Sequence, residues 1–165
     1  MGDPLRLRGK QMEKIQRIAS FAVDHTRLLP GIYVSRVDGD VTTYDLRTRT
    51  PNSQDLMDNG TMHSLEHMLA TFLRNSAIAD DVLYFGPMGC QTGFYLLVRN
   101  GGNERVLAAI KDALAKTLAH AGEIFGNSEI ECGNYRTLSL ELAKREAERY
   151  LAVLNEKEKW SFCYE

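Results

Sequence analysis

The stretch GIYVSRVDGDVTTYDLRTRTP, residues 31–51, limits the fold more than any other part of the chain. Strand-forming residues alternate with polar ones on both sides of Asp38-Gly39, a pair suited to a tight hairpin turn. Strands joined so closely must be antiparallel, because a parallel pair needs a long crossover. Pro51 stops the second strand by removing an N–H the ladder would use, and PNSQDLMDNG is a polar, turn-rich connection.

A helix is predicted next, from about Thr61 to Asn75. Met62, Leu65, Leu69, Phe72 and Leu73 form one stripe at helical spacing, and Thr61 can cap its start. DVLYFG and GFYLLVR are apolar, aromatic-rich strand candidates on either side of the loop GPMGCQTG. A second helix, Glu104 to Ala119, puts Val106, Leu107, Ile110, Leu114 and Leu118 on one face, with Asn103 as cap. A third, Leu138 to Glu158, turns Leu142, Tyr150, Leu151 and Leu154 inward. Two strand pairs separated by a helix imply an α+β fold: a single domain with a largely antiparallel sheet packed with helices. Residues 1–19 read as an N-terminal extension, with Met12 an alternative start, and residues 20–165 as the domain.

Composition excludes several functions. A net charge of -2, with Lys and Arg scattered among Asp and Glu, gives no electrostatic case for nucleic acid or an acidic membrane. No apolar run could span a bilayer, and the basic N-terminus lacks the continuous apolar segment of an export signal. Cys90, Cys132 and Cys163 are odd in number and widely spaced, which argues for reduced thiols in the cytoplasm rather than a disulfide framework. Free thiols can ligate metal or exchange protons.

The first predicted helix carries MHSLEHML at residues 62–69. Side chains at i and i+4 point the same way, so His63 and His67 can offer imidazoles to one ion, with Glu66 within reach of a group bound there. The order H-x-x-E-H is that of one metallopeptidase group; alternatively, it is a helix with two surface histidines beside an unrelated glutamate. A catalytic site of this kind takes a third protein ligand and leaves one position open. His25, His120 and the three cysteines are the candidates. His120, near Gly122, reads more readily as a helix C-cap. Cys132, beside Gly133 in EIECGNYR, would complete a His2Cys set suited to zinc or ferrous iron. Cys90 lies on a turn rich in glycine and proline, where backbone N–H groups can favour a thiolate; equally, it could be a small buried hydrophobe. Cys163, beside Trp160 and Phe162, reads as packing or a stray thiol.

Five segments, SFAVDHT (20–26), YDLRTRTPN (44–52), HSLEH (63–67), PMGCQTGFY (87–95) and ECGNY (131–135), together resemble the S-ribosylhomocysteine lyase (LuxS) family in order and spacing. The resemblance implies His63, His67 and Cys132 as metal ligands, with water or substrate in fourth place, and Glu66 and Cys90 as acid–base residues. It further implies Ser20, His25 and Arg47 as parts of a substrate pocket at a homodimer interface. It implies one divalent metal per subunit, ferrous iron, which zinc or cobalt can replace. The implied reaction converts S-ribosylhomocysteine to homocysteine and 4,5-dihydroxypentane-2,3-dione, the autoinducer-2 precursor, by carbonyl migration through enediolates and β-elimination of the thiol. The chain departs from the family pattern at Tyr84, commonly acidic, at Gly86, commonly serine, and after ECGNYR, where TLSL replaces a frequent histidine or aspartate. The alternative is a metal-dependent hydrolase in which Glu66 activates water; it has no clear use for Cys90.

Overall fold

In a computed structural model describing residues 14–165, the 31–51 stretch forms β1 (Gly31–Asp38) and β2 (Val41–Arg47). Met12 and most of the expected N-terminal extension lie outside the described residues. Asp38 pairs with Val41, so the turn residues are Gly39 and Asp40, one place later than Asp38-Gly39. Gly39 takes the first of these positions because it adopts a positive φ of 62°.

The antiparallel sheet is completed by β3 (Val82–Pro87) and β4 (Gly93–Arg99), in the order β1-β2-β4-β3. Its inner face buries Ile32, Tyr44, Leu46, Phe85, Phe94, Leu96 and Val98. These pack with α1 (Asn59–Leu73), α2 (Asn103–Ala119) and α3 (Leu140–Asn155) in one core. Alternation then puts Tyr33, Asp45 and Tyr95, which pair in one row, on the opposite face. Among the described residues, no helix is long and apolar enough to cross a membrane.

The helices begin differently from expectation. The N-cap of α1 is Asp58, whose carboxylate accepts the Thr61 N–H at 2.7 Å; Thr61 is capped rather than capping. Gly60, placed in the preceding connection by the sequence, lies inside the first turn. In α2 Gly102 holds the cap position and Asn103 is the first helical residue, its side chain accepting a hydrogen bond from the Tyr44 hydroxyl at 2.8 Å. α3 starts at its cap Ser139 and ends at Asn155, inside the expected bounds. Its buried side is Ala143, Glu146, Ala147, Tyr150 and Leu154, while Leu142 and Leu151 are only half-buried. The buried Glu146 is answered by Arg49, whose Nε donates to Oε1 at 2.9 Å.

Beyond α3, Trp160 and Phe162 are buried, and the Phe162 carbonyl accepts the Val34 N–H at 2.8 Å. The C-terminal segment thereby runs beside β1.

The α1 cap gives a pH-dependent prediction. The Thr61 N–H and then its hydroxyl hold the Asp58 carboxyl below the ordinary carboxylate range. Its stabilisation is therefore complete above the unfolded value, near 4, and fades as pH falls through the lower folded value. Asp58→Ala should cost about 1 kcal/mol at neutral pH. Asp58→Asn, a cap that does not titrate, should lose its disadvantage in thermal melts between neutral and strongly acid pH. A constant gap between wild type and Asp58→Asn would refute this.

Candidate active site

His63 and His67 lie one turn apart on α1, with ring centroids 4.6 Å apart and planes at 89°. The chain brings Cys132 to them: the ligand atoms of all three lie within 4.8 Å of one another, and Cys132 Sγ is 3.3 Å from His63 Nε2. Cys132 sits in a turn, its N–H donating to the Ser128 carbonyl at 3.1 Å. A short 3-10 turn, Tyr135–Thr137, separates it from α3, so it is not directly at a helix start as expected.

Neighbouring groups set the imidazole tautomers. His67 Nδ1–H donates to the Phe125 carbonyl at 2.8 Å. His63 Nδ1–H donates to Thr137 Oγ1 at 2.7 Å, while the Thr137 hydroxyl donates to the Asn134 carbonyl at 3.2 Å. In its neutral form each ring therefore keeps its proton on Nδ1 and presents Nε2 as the free donor atom, the arrangement typical of a metal-binding histidine. Burial, and after it His67, hold His63 below the ordinary imidazole range, which favours the neutral form. The Asn134 N–H donates to Cys132 Sγ at 3.4 Å and fixes the sulfur's direction. Gly126, with φ of 69°, lets this loop approach closely: a Cβ there would stand 2.9 Å from His67 Nδ1. Two neutral nitrogens and one sulfur form a donor set that fits zinc or ferrous iron.

The other histidines are placed elsewhere. His120 is the C-cap of α2, as expected, with Nε2 donating to the Glu123 carbonyl at 2.8 Å. His25 Nδ1 is 2.8 Å from the Val23 carbonyl. Neither belongs to the three-residue cluster.

Glu66 is half-buried and lines a recess of about 230 Å³ with Met62, His63, Pro87, Asn134 and Thr137. Burial raises its carboxyl above the usual range, partly opposed by His67.

A second group forms at the β3–β4 connection. That turn is closed by Met88 N–H to the Gly93 carbonyl at 2.8 Å and Gln91 N–H to the Met88 carbonyl at 3.0 Å. It leaves Cys90 exposed, against the reading of a buried hydrophobe. The sulfur's polar neighbours are the Thr92 hydroxyl at 3.0 Å and Arg47 Nη1 at 3.8 Å, rather than turn amides. Arg47 is itself only 2% exposed. It grips Asp45 through Nε at 3.1 Å and Nη2 at 2.6 Å, and Thr92 through Nη1 at 2.6 Å. Asp45 and Thr92 were not singled out from the sequence. The alternation of YDLR, an acid between two core residues and beside an arginine, was the available signal.

One chain thus gathers two groups: His63, His67 and Cys132 beside Glu66, and Arg47 beside Cys90. Ser20 lies in a 3-10 turn, Ala19–Ala22, with His25 in the loop beyond it; both are half-buried, and neither joins those groups. Cys163 is exposed and free. Tyr84 and Gly86 prove to be linked, since a Cβ on Gly86 would meet the Tyr84 hydroxyl at 2.0 Å. The bare glycine leaves room for the tyrosine ring.

The S-Ribosylhomocysteinase (LuxS) family model matches residues 18–161. An S-ribosylhomocysteine lyase of Finegoldia magna is 43% identical over 155 residues, covering 91% of this chain and 99% of the relative. One of Desulfotalea psychrophila is 45% identical over 142 residues, covering 82% and 89% respectively. One of Clostridium beijerinckii is 44% identical over 153 residues, covering 88% and 96%. With so much of its length accounted for, the chain belongs to the S-ribosylhomocysteinase (LuxS) family.

Proposed function

We propose that the chain is an S-ribosylhomocysteine lyase, converting its substrate to homocysteine and 4,5-dihydroxypentane-2,3-dione, in the cytoplasm. The observation that carries this reading is the cluster of His63, His67 and Cys132, whose ligand atoms lie within 4.8 Å of one another, with His63 and Glu66 together lining one recess, in a chain similar to such lyases over most of its length. A divalent metal held by those three atoms, which we assign as ferrous iron replaceable by zinc or cobalt, would supply Lewis-acid polarisation of a sugar oxygen.

The thioether has no hydrolysable carbonyl, so the sugar carbonyl must first migrate until an acidic C–H stands beside the carbon bearing sulfur. Each migration removes a proton from one carbon and returns one to its neighbour. We assign these transfers to Glu66 and Cys90. In the final step a base takes the acidic proton, the electron pair forms a C=C bond, and the C–S bond breaks. The sulfur leaves as thiolate and is protonated to homocysteine. Ser20, His25 and Arg47 are assigned to the pocket walls, at an interface between two copies. Ser20 and His25 join neither chemical group of their own chain, which supports a role across that interface.

The test is incubation of the metal-loaded protein with S-ribosylhomocysteine and a chromogenic thiol reagent. One thiol should appear per substrate consumed. Absence of thiol release would overturn the reading, and cleavage of a peptide library would favour the hydrolase instead.

A further inference from the structure

The penultimate residue reaches the candidate chemistry through two buried side chains. After Phe162, whose φ of 60° turns the chain, Tyr164 stacks on Tyr33 with centroids 5.0 Å apart and planes at 19°. Its hydroxyl donates to Asp45 Oδ2 at 2.8 Å. That same oxygen accepts Arg47 Nη2 at 2.6 Å, while Oδ1 accepts Nε. One edge of the guanidinium is thus fixed by Asp45, and the remaining nitrogen, Nη1, points to Thr92 Oγ1 and Cys90 Sγ.

We propose that Tyr164 is a positioning residue for Cys90: it fixes the Asp45 carboxylate, which aims the Arg47 guanidinium at the sulfur. The role in turnover rests on the lyase reading; the effect on the thiol does not. Asp45 is 1% exposed, so losing a partner leaves its carboxylate a buried acceptor short of a donor. Without the phenol, one oxygen carries only the arginine and the carboxylate plane is free to turn. A fork grips both oxygens only when the planes match, so Arg47 turns with it. Nη1 then moves relative to Cys90 and Thr92. Burial, followed by the Asp45 charge, holds the Tyr164 phenol well above its ordinary range, which keeps the donated proton in place.

Tyr164→Phe removes the hydroxyl and retains the ring on Tyr33. In the metal-loaded, full-length protein, this variant should lower the rate of Cys90 alkylation by iodoacetamide, read by peptide mass spectrometry, about tenfold, the worth of one hydrogen bond to a buried charge. It should lower kcat for thiol release by a similar factor and leave KM near wild type, while the thermal midpoint falls by a few degrees because the buried carboxylate has lost a donor. Truncation after Cys163 should reproduce the loss in alkylation. Wild-type alkylation and kcat in Tyr164→Phe would overturn the proposal, as would a truncated chain with unchanged Cys90 reactivity. A wild-type protein that releases no thiol would instead refute the lyase reading and leave the alkylation comparison standing.

Discussion

Cys90→Ala should lower thiol release from S-ribosylhomocysteine by about 10²–10⁴-fold, the range for loss of a positioned acid–base group, while metal content stays at the wild-type level. His63→Ala should lose both together. The contrast follows from the two groups in the fold. His63 Nε2 stands 3.3 Å from Cys132 Sγ within the donor cluster. Cys90 belongs to the β3–β4 turn, against Thr92 and Arg47, and is no part of that cluster. Metal analysis and turnover measured on the same anaerobic preparations separate the cases. Full activity in Cys90→Ala would defeat the two-base mechanism, and depleted metal in that variant would defeat the division of labour.

A second large effect is expected in stability. Glu146 is 2% exposed on α3, and its carboxylate is held by the Arg49 guanidinium from the segment after β2. Arg49→Ala leaves a buried charge without its partner. Loss of one member of such a pair costs about 3–5 kcal/mol, which for a chain of this size lowers the thermal midpoint by roughly 10 °C. Replacing both residues, as Arg49→Met with Glu146→Leu, should recover most of the loss, because the cost lies mainly in the unpaired charge. Calorimetry at matched metal loading checks both results. An unchanged midpoint in Arg49→Ala would show that Glu146 finds another partner or water.

The same pair shows where sequence reading stops. The hairpin, the α1 stripe and the shared face of His63 and His67 were legible because each depends on neighbours a few residues apart. Glu146 drew no notice in the sequence because its partner is 97 residues away. Asp45 was passed over for a similar reason: its value lies in Arg47 two residues on and in Tyr164 at the far end of the chain. Helix starts went astray where one local signal competed with another. Gly60 was placed in the turn-rich connection, although Asp58 caps a helix that runs through it. Asn103 looked like a cap, although its amide is engaged by Tyr44. Cys132 was legible as a third ligand from its thiol beside Gly133, and the family resemblance strengthened that choice, although no local pattern links it to the α1 histidines.

The bond from Val34 to the Phe162 carbonyl has a consequence for handling the protein. β1 is an outermost strand, and its free side would otherwise offer main-chain groups to any passing strand. A preparation clipped ahead of Phe162 would bare that ladder, and oligomers built by strand addition should follow. Proteolysis near the C-terminus would then register first as turbidity.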